Sequence, residues 1–437
     1  MGDQKQSDKP SFVPILGPWW KAAKFLIATL LLFFGIKNAV AFHDMHDFYA
    51  TGGADFKIYL TAAEILDKGK SSKLYDYALQ WETQAKLYPT WPMGNGPLPY
   101  NHPAAEALVF LPLAGTDVVT AYDRWILLNV FLLLGSFWLL RVELQDLNSQ
   151  RIIPPVLWAA AFFPVTMGFL LGQDSILILF LYSVFYHQSC RGNHHWAGLA
   201  VGLCTFKPQL ALPFAFLYFL CRRRWSGLAG FLFGGSAIGA FSVALVGVQG
   251  MKDFVALNAL TQEYRPWLFN SRLMPQVRGL VQSIFNGWFS YSQMVGVVII
   301  VSLGIMIGAA LWVLYLPKVR PHVAGDSHDL EFAFCAIITV LVSYHLYPYD
   351  LSMLLIPVLL VINRTLSGNK PMGTPIWILL TAIGSLFFLP LHLVAVANLY
   401  YFLFAFVLLL LAWVIGRWMM IVAQHENQAF STSTKQS

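Results

Sequence analysis

Long apolar runs broken by short polar turns dominate this chain. They predict spans near 22–42, 122–141, 153–172, 175–188, 196–206, 209–221, 227–248, 292–316, 331–346, 351–363, 375–391 and 398–419. A helix needs about 20 apolar residues to cross hydrocarbon, and most of these runs approach that length. The pattern therefore predicts an all-α polytopic membrane protein with about 12 hydrophobic segments. Residues 43–121 and 249–291 are too long and polar to cross and read as two large loops on one side, the outer side if the N-terminus lies inside.

The first loop has a pattern of its own. After Asp55, the residues Phe56, Tyr59, Leu60, Ala63 and Leu66 share one helical face, and Lys57, Thr61, Glu64 and Lys68 lie opposite. Such a helix is expected to lie in the membrane interface. Tyr75 to Tyr88 reads as a second interfacial helix anchored by Trp81, and the proline-rich stretch from Trp91 to Pro103 cannot be regular helix. Two hairpins turn very tightly, one at Gly172-Gln173-Asp174 and one at Lys207-Pro208-Gln209. The arms of the second are too short to cross a core about 30 Å thick, so Lys207 is expected below the surface, facing a wet cavity.

Composition narrows the class. Of 437 residues, 57% are hydrophobic and 11% charged, against about a quarter charged in soluble domains. The net charge of +6 comes with no basic run that suggests nucleic acid. The short loops assigned to the cytoplasm carry Lys21, Lys24, Arg151, Arg191, Arg222, Arg223, Arg224, Lys318, Arg320, Arg364, Lys370 and Arg417, a positive-inside distribution. Cys190, Cys204, Cys221 and Cys335 form no CxxC pair and avoid the long loops, so neither a disulfide nor a zinc site is expected. Residues 22–42 resemble a signal peptide in charge and apolarity, but they are long enough to stay as an uncleaved anchor. A single membrane domain over 1–421 and a disordered cytoplasmic tail over 422–437 complete the expected organisation.

Few residues carry chemistry on such a background. Asp55 follows the first span at once; it reads either as a helix N-cap or as a general base at the membrane surface, and both readings stand. Lys207 and Arg278 are candidate phosphate binders, because a departing lipid phosphate gains negative charge that a cation stabilises in a water-poor site. Gln173, Asp174, His345, Tyr349 and Asp350 sit in turns on the same side and are candidates for contact with a sugar or phosphate. His43, Asp44, His46 and Asp47, with His102 in reach, form a weak metal pattern, and no metal is expected. No Walker loop, dinucleotide fingerprint or GxSxG is present, so an activated donor has to come from the membrane.

In order and spacing, Asp55-Phe56 with Tyr59, Leu74-Tyr75-Asp76, Tyr100-Asn101-His102-Pro103, Leu111-Pro112-Leu113, Gly172-Gln173-Asp174-Ser175, Gly198 to Gly202, Lys207-Pro208-Gln209, Met274 to Leu280, and His345 with Tyr349-Asp350-Leu351 resemble glycosyltransferase family 87. The resemblance implies the GT-C architecture. It also implies transfer of a hexose, usually mannose, from a polyprenyl-phosphate-sugar to a lipid or glycan hydroxyl on the outer face of the plasma membrane. It further implies that the acid in the first outer loop, here Asp55, is the base of an inverting reaction, without a metal. Tyr59, His102 and Gln209 join the positions expected to contact substrate. Many relatives carry two consecutive prolines in the stretch where this chain has Tyr100-Asn101-His102-Pro103. Two other readings remain open: a carrier or flippase of polyprenyl-linked lipids, and a transferase of another sugar such as a pentose.

Overall fold

The computed structural model describes residues 19–92, 96–149, 153–264, 270–315, 328–367 and 376–433, which are helical and contain no strand. The basic loop residues Arg151, Lys318, Arg320 and Lys370 lie outside them. The chain opens with α1 (Trp20–Phe48), which continues through a wide turn to Gly53. The first large loop holds α2 (Phe56–Asp67), α3 (Tyr77–Leu87) and α4 (Ala104–Phe110). Then follow α5 (Val118–Leu139), α6 (Pro155–Ala161), α7 (Phe163–Leu170), α8 (Ser175–Cys190), α9 (His194–Leu203) and α10 (Pro208–Ala215). The rest comprises α11 (Trp225–Tyr264), α12 (Val277–Ile284), α13 (Tyr291–Tyr315), α14 (His328–Val342), α15 (Leu355–Ser367), α16 (Ile376–Phe387), α17 (Leu389–Ala397) and α18 (Phe404–Ser433).

Among the described residues, six helical stretches are long and apolar enough to cross a membrane, and a seventh is added if α16 and α17, bent by 61°, count as one. The expected dozen hydrophobic segments are thus of two kinds. The 153–172 run is not one span: Phe162 leaves helical geometry ahead of Pro164, which splits it into α6 and α7. The 196–206 and 209–221 arms are short helices, and 331–346 falls on α14, buried on nearly every side. Sequence hydropathy registers apolarity without distinguishing lipid from protein as its cause. The last helix runs on to Ser433, through most of the tail expected to be disordered, and residues 434–437 lie outside the described residues.

The first loop is not an interfacial layer. Helix α2 is buried from Phe56 to Ile65 except at the half-buried Lys57, and its polar side meets protein rather than head groups. Thr61 donates to the Lys57 carbonyl at 2.6 Å, and Glu64 accepts the Gly115 N–H at 2.6 Å while pairing with Lys68 at 2.9 Å. These residues build a second core with the start of α5 and with Val246 and Leu257 of α11. Amphipathicity signals two environments but does not say that the polar one is water. Trp81 on α3 is exposed, as an anchor would be.

Backbone proximity explains the Gly198 to Gly202 stretch. A Cβ on Gly198 would stand 1.8 Å from the Gly227 carbonyl oxygen, and one on Gly230 would stand 2.0 Å from that of His195. Helices α9 and α11 therefore touch backbone to backbone, as small residues allow in membranes. Gly198→Ala is expected to destabilise by more than the about 1–3 kcal/mol of an ordinary overpacked site. Gly239→Ala, with open space around it, should be neutral. Thermal unfolding of the two variants in detergent, read by retention of a monodisperse peak, checks the contrast.

Candidate active site

Three turns converge to make the site. The first is the entry to α2. Its Phe56 N–H donates to the Leu171 carbonyl at 3.0 Å, which docks Asp55 onto the α7–α8 turn. That turn needs Gly172, whose φ is +58° and whose missing Cβ would stand 2.7 Å from the Phe56 Cβ. Trp125 Nε1 fixes the turn further by donating to the Gly172 carbonyl at 2.9 Å. The third turn, residues 343–350, joins α14 to α15 and is tied to α10 where Ser343 Oγ donates to the Gln209 carbonyl at 2.8 Å.

Asp55 does not cap α2. It occupies the N-cap position with helical dihedrals and makes no side-chain cap bond. Instead its Oδ2 accepts Gln173 Nε2 at 2.7 Å, and Gln173 Oε1 accepts the Tyr59 hydroxyl at 2.9 Å. Oδ1 meets no hydrogen-bond donor among the described residues. Burial pushes the carboxyl above the ordinary aspartate range; the Gln173 bond and the charges of Lys57 and Lys207 pull the other way, and Asp350 adds to the rise. A carboxylate so placed is a stronger base than one in water.

Behind Gln173 lies an ionic array. Lys207 Nζ, on the turn before α10, pairs with Asp174 Oδ1 and lies 2.8 Å from Asp350 Oδ1. Asp350 Oδ2 accepts the Tyr347 N–H at 3.0 Å, and the ammonium lies 5.6 Å from the Tyr349 ring. Lys207 is 5% exposed, so it sits below the surface as expected, but between two carboxylates. Beyond Asp174 come Glu106 of α4 and His102, with His102 Nδ1 2.7 Å from Glu106 Oε2. Donor atoms of His102, Glu106 and Asp174 lie within 4.8 Å of one another, which makes them the group able to hold a metal ion among the described residues.

Arg278, 3% exposed on α12, stacks 4.2 Å from the Tyr344 ring and donates to the Tyr344 carbonyl at 3.3 Å. Gly279 makes this possible, because any Cβ there would stand 1.8 Å from the Met274 carbonyl oxygen. Tyr347 lies within electrostatic reach of Asp55, Arg278 and Asp350, and His345 within reach of Arg278, Lys207 and His102. Gln209 Nε2 reaches the His345 carbonyl at 3.5 Å. The candidate residues Asp55, Tyr59, His102, Gln173, Asp174, Lys207, Gln209, Arg278, His345, Tyr349 and Asp350 thus gather at one end of the bundle.

The weak metal pattern near His43 does not assemble with His102. His46 is held instead by Asp47 at 2.9 Å and Asp123 at 2.8 Å. The sequence reading missed Glu106. Its signal was a lone acid in the first turn of an apolar helix, four residues after a histidine that precedes that helix. It also missed Lys57, whose Nζ donates to the Gly52 carbonyl at 2.9 Å and lies 4.7 Å from the Trp91 ring. Arg222, Arg224 and Arg364, by contrast, pair with Glu331 and Asp329 at the start of α14. That is the end away from the site, roughly 20 Å along the helix.

A polytopic helical protein with a buried cluster of acids and cations at one end of the bundle is the class these features define. The model of glycosyltransferase family 87 matches residues 100–343. The chain belongs to that family. Asp55, His345, Tyr349 and Asp350 lie outside the matched residues. It is also similar to the polyprenol-phosphate-mannose-dependent alpha-(1-2)-phosphatidylinositol pentamannoside mannosyltransferase of Mycolicibacterium smegmatis (strain ATCC 700084 / mc(2)155), with 26% identity over 238 residues, 53% of this chain and 50% of that protein. The chain thus spans about half the length of the curated relative it matches. No solved structure matches it.

Proposed function

We propose that this transferase moves a hexose, mannose in the first instance, from a polyprenyl-phosphate-sugar to a hydroxyl of a lipid or glycan acceptor. The reaction would run with inversion at the outer face of the plasma membrane. The observation that carries the reading is the Asp55 carboxylate, free of any capping role and oriented by Gln173 with one oxygen open. Asp55 takes the acceptor proton as the hydroxyl oxygen attacks the anomeric carbon. The sugar–phosphate bond breaks, and its electrons leave with the lipid phosphate. The transition state has oxocarbenium character. A β-linked donor gives an α-linked product. The lipid-phosphate donor and the mannosyl group are supported by the name of the similar protein.

Among the described residues the site has Lys207 and Arg278 as buried cations; Lys207 lies between Asp174 and Asp350, and Arg278 stacks on Tyr344 and donates to its carbonyl. We assign the negative charge of the leaving phosphate chiefly to Arg278, with Lys207 holding the turns that carry Gln173 and Tyr349. Tyr59, His102, Gln173, Asp174, Gln209, His345, Tyr349 and Asp350 shape the pocket around the sugar. Purified protein given polyprenyl-phosphate-mannose and a glycolipid acceptor should form a new glycosidic bond, visible by mass spectrometry as one added hexose. Lipid movement across a vesicle membrane without a new bond would instead establish the carrier reading.

The Gln173 contact makes a pH prediction. The rate requires ionised Asp55, so it falls as pH drops through the carboxyl pKa, which burial sets above the ordinary value of about 4. Gln173→Leu removes the one hydrogen bond that favours the ionised form. Its acidic limb is expected at higher pH than that of the wild type, in single-turnover rates measured across pH. An unmoved limb would assign the titration to another group.

A further inference from the structure

The ionic array behind Gln173 is out of charge balance. Glu106, Asp174 and Asp350 bring three carboxyl groups to a single ammonium, that of Lys207. Glu106 is 2% exposed, Asp174 0%, Asp350 5% and Lys207 5%, so water does not screen them. Buried charge is tolerated only when it is compensated. With all three acids ionised, the array carries two negative charges more than positive ones. His102 stands against the acids, with its Nδ1 2.7 Å from Glu106 Oε2.

The orphaned oxygens show where the missing charge belongs. Apart from the ion pairs to His102 and Lys207, the oxygens of Glu106 and Asp174 meet only each other, carboxyl to carboxyl, with no amide or hydroxyl donor among the described residues. Asp350 differs, since the Tyr347 N–H serves its second oxygen. The deficit is therefore local to Glu106 and Asp174, and the His102 imidazole stands beside them. One nitrogen and two carboxylates are the donor set of a borderline divalent ion such as Zn²⁺ or Mn²⁺, whereas Mg²⁺ and Ca²⁺ favour oxygen alone. One divalent charge brings the array to neutrality.

We propose that His102, Glu106 and Asp174 bind one divalent transition-metal ion. Its place is structural. It would join the Pro-rich segment before α4 to the α7–α8 turn, and so steady Gln173, the neighbour of Asp174 and the partner of Asp55. His102 is already positioned for this, because its carbonyl accepts the Tyr75 hydroxyl at 2.7 Å. The proposal does not depend on the sugar or the acceptor, and it is read without a transfer assay.

The test uses the full chain purified in detergent without chelator, with metal content measured by inductively coupled plasma mass spectrometry. About one zinc or manganese per chain is expected in the wild type, falling at least tenfold in Glu106→Gln and in His102→Ala. Wild-type protein stripped with chelator should bind added Mn²⁺ with a changed electron paramagnetic resonance spectrum and unfold at a higher temperature. Metal-free wild type with no response to Mn²⁺ or Zn²⁺ would overturn the site and leave protons on the carboxyl groups as the compensating charge. Stoichiometric metal kept by both variants would overturn it equally, because the ion would lie elsewhere. The wild-type titration remains decisive if either variant fails to fold.

Discussion

Asp55→Asn is expected to fold normally and to lose transfer by roughly a hundred- to ten-thousandfold, the range that a positioned general base contributes. The amide oxygen of Asn can still accept Gln173 Nε2, so the local hydrogen bond survives and only the proton acceptor disappears. Stability gives an independent readout. Burial raises the Asp55 pKa in the folded state above its unfolded value. The contribution of the group to stability is therefore full at low pH and is lost as pH rises through the folded pKa. At neutral pH the buried charge opposes folding, so Asp55→Asn should melt no lower than the wild type. A variant with full single-turnover rate would remove Asp55 as the base. A variant that unfolds would mark it as structural.

Lys207→Met carries the second large effect. Removing the ammonium leaves Asp174 and Asp350 buried without their shared cation. Breaking one side of such a pair costs about 3–5 kcal/mol. Activity should fall with stability, because Asp174 adjoins Gln173, which orients Asp55. Neutralising the partners tests the cause: Lys207→Met combined with Asp174→Asn and Asp350→Asn should recover much of the lost melting temperature. Thermal unfolding in detergent measures both steps. If Lys207→Met instead melts like the wild type and only the donor KM rises, its ammonium is a phosphate contact after all.

Much of this site was legible in the sequence. Asp55 stood out as an acid at the exit of the first span, and the turns at Gly172 and Lys207 stood out as short polar breaks between apolar runs. The depth of Lys207 followed from hairpin arms too short to cross a membrane. Its two partners did not, because Asp174 and Asp350 are far apart in sequence and meet through tertiary folding alone. Glu106 was hidden for the same reason: its apolar neighbours are the visible signal, and Asp174 lies across the site on another turn. The choice between cap and base at Asp55 also required coordinates, since both readings place an acid before a helix. Hydropathy named the apolar segments but not their surroundings, so α14 looked like a span and the polar side of α2 looked wet.

The most direct test of the account is a cryo-electron microscopy structure of the chain with a non-transferable polyprenyl-phosphate-sugar analogue and an acceptor. The acceptor hydroxyl is predicted within hydrogen-bond reach of Asp55 Oδ1, about 2.6–3.2 Å, with the donor phosphate beside Arg278 and the anomeric carbon between them. An acceptor hydroxyl bound on the far side of Tyr347, with Asp55 Oδ1 facing lipid or bulk water, would contradict it.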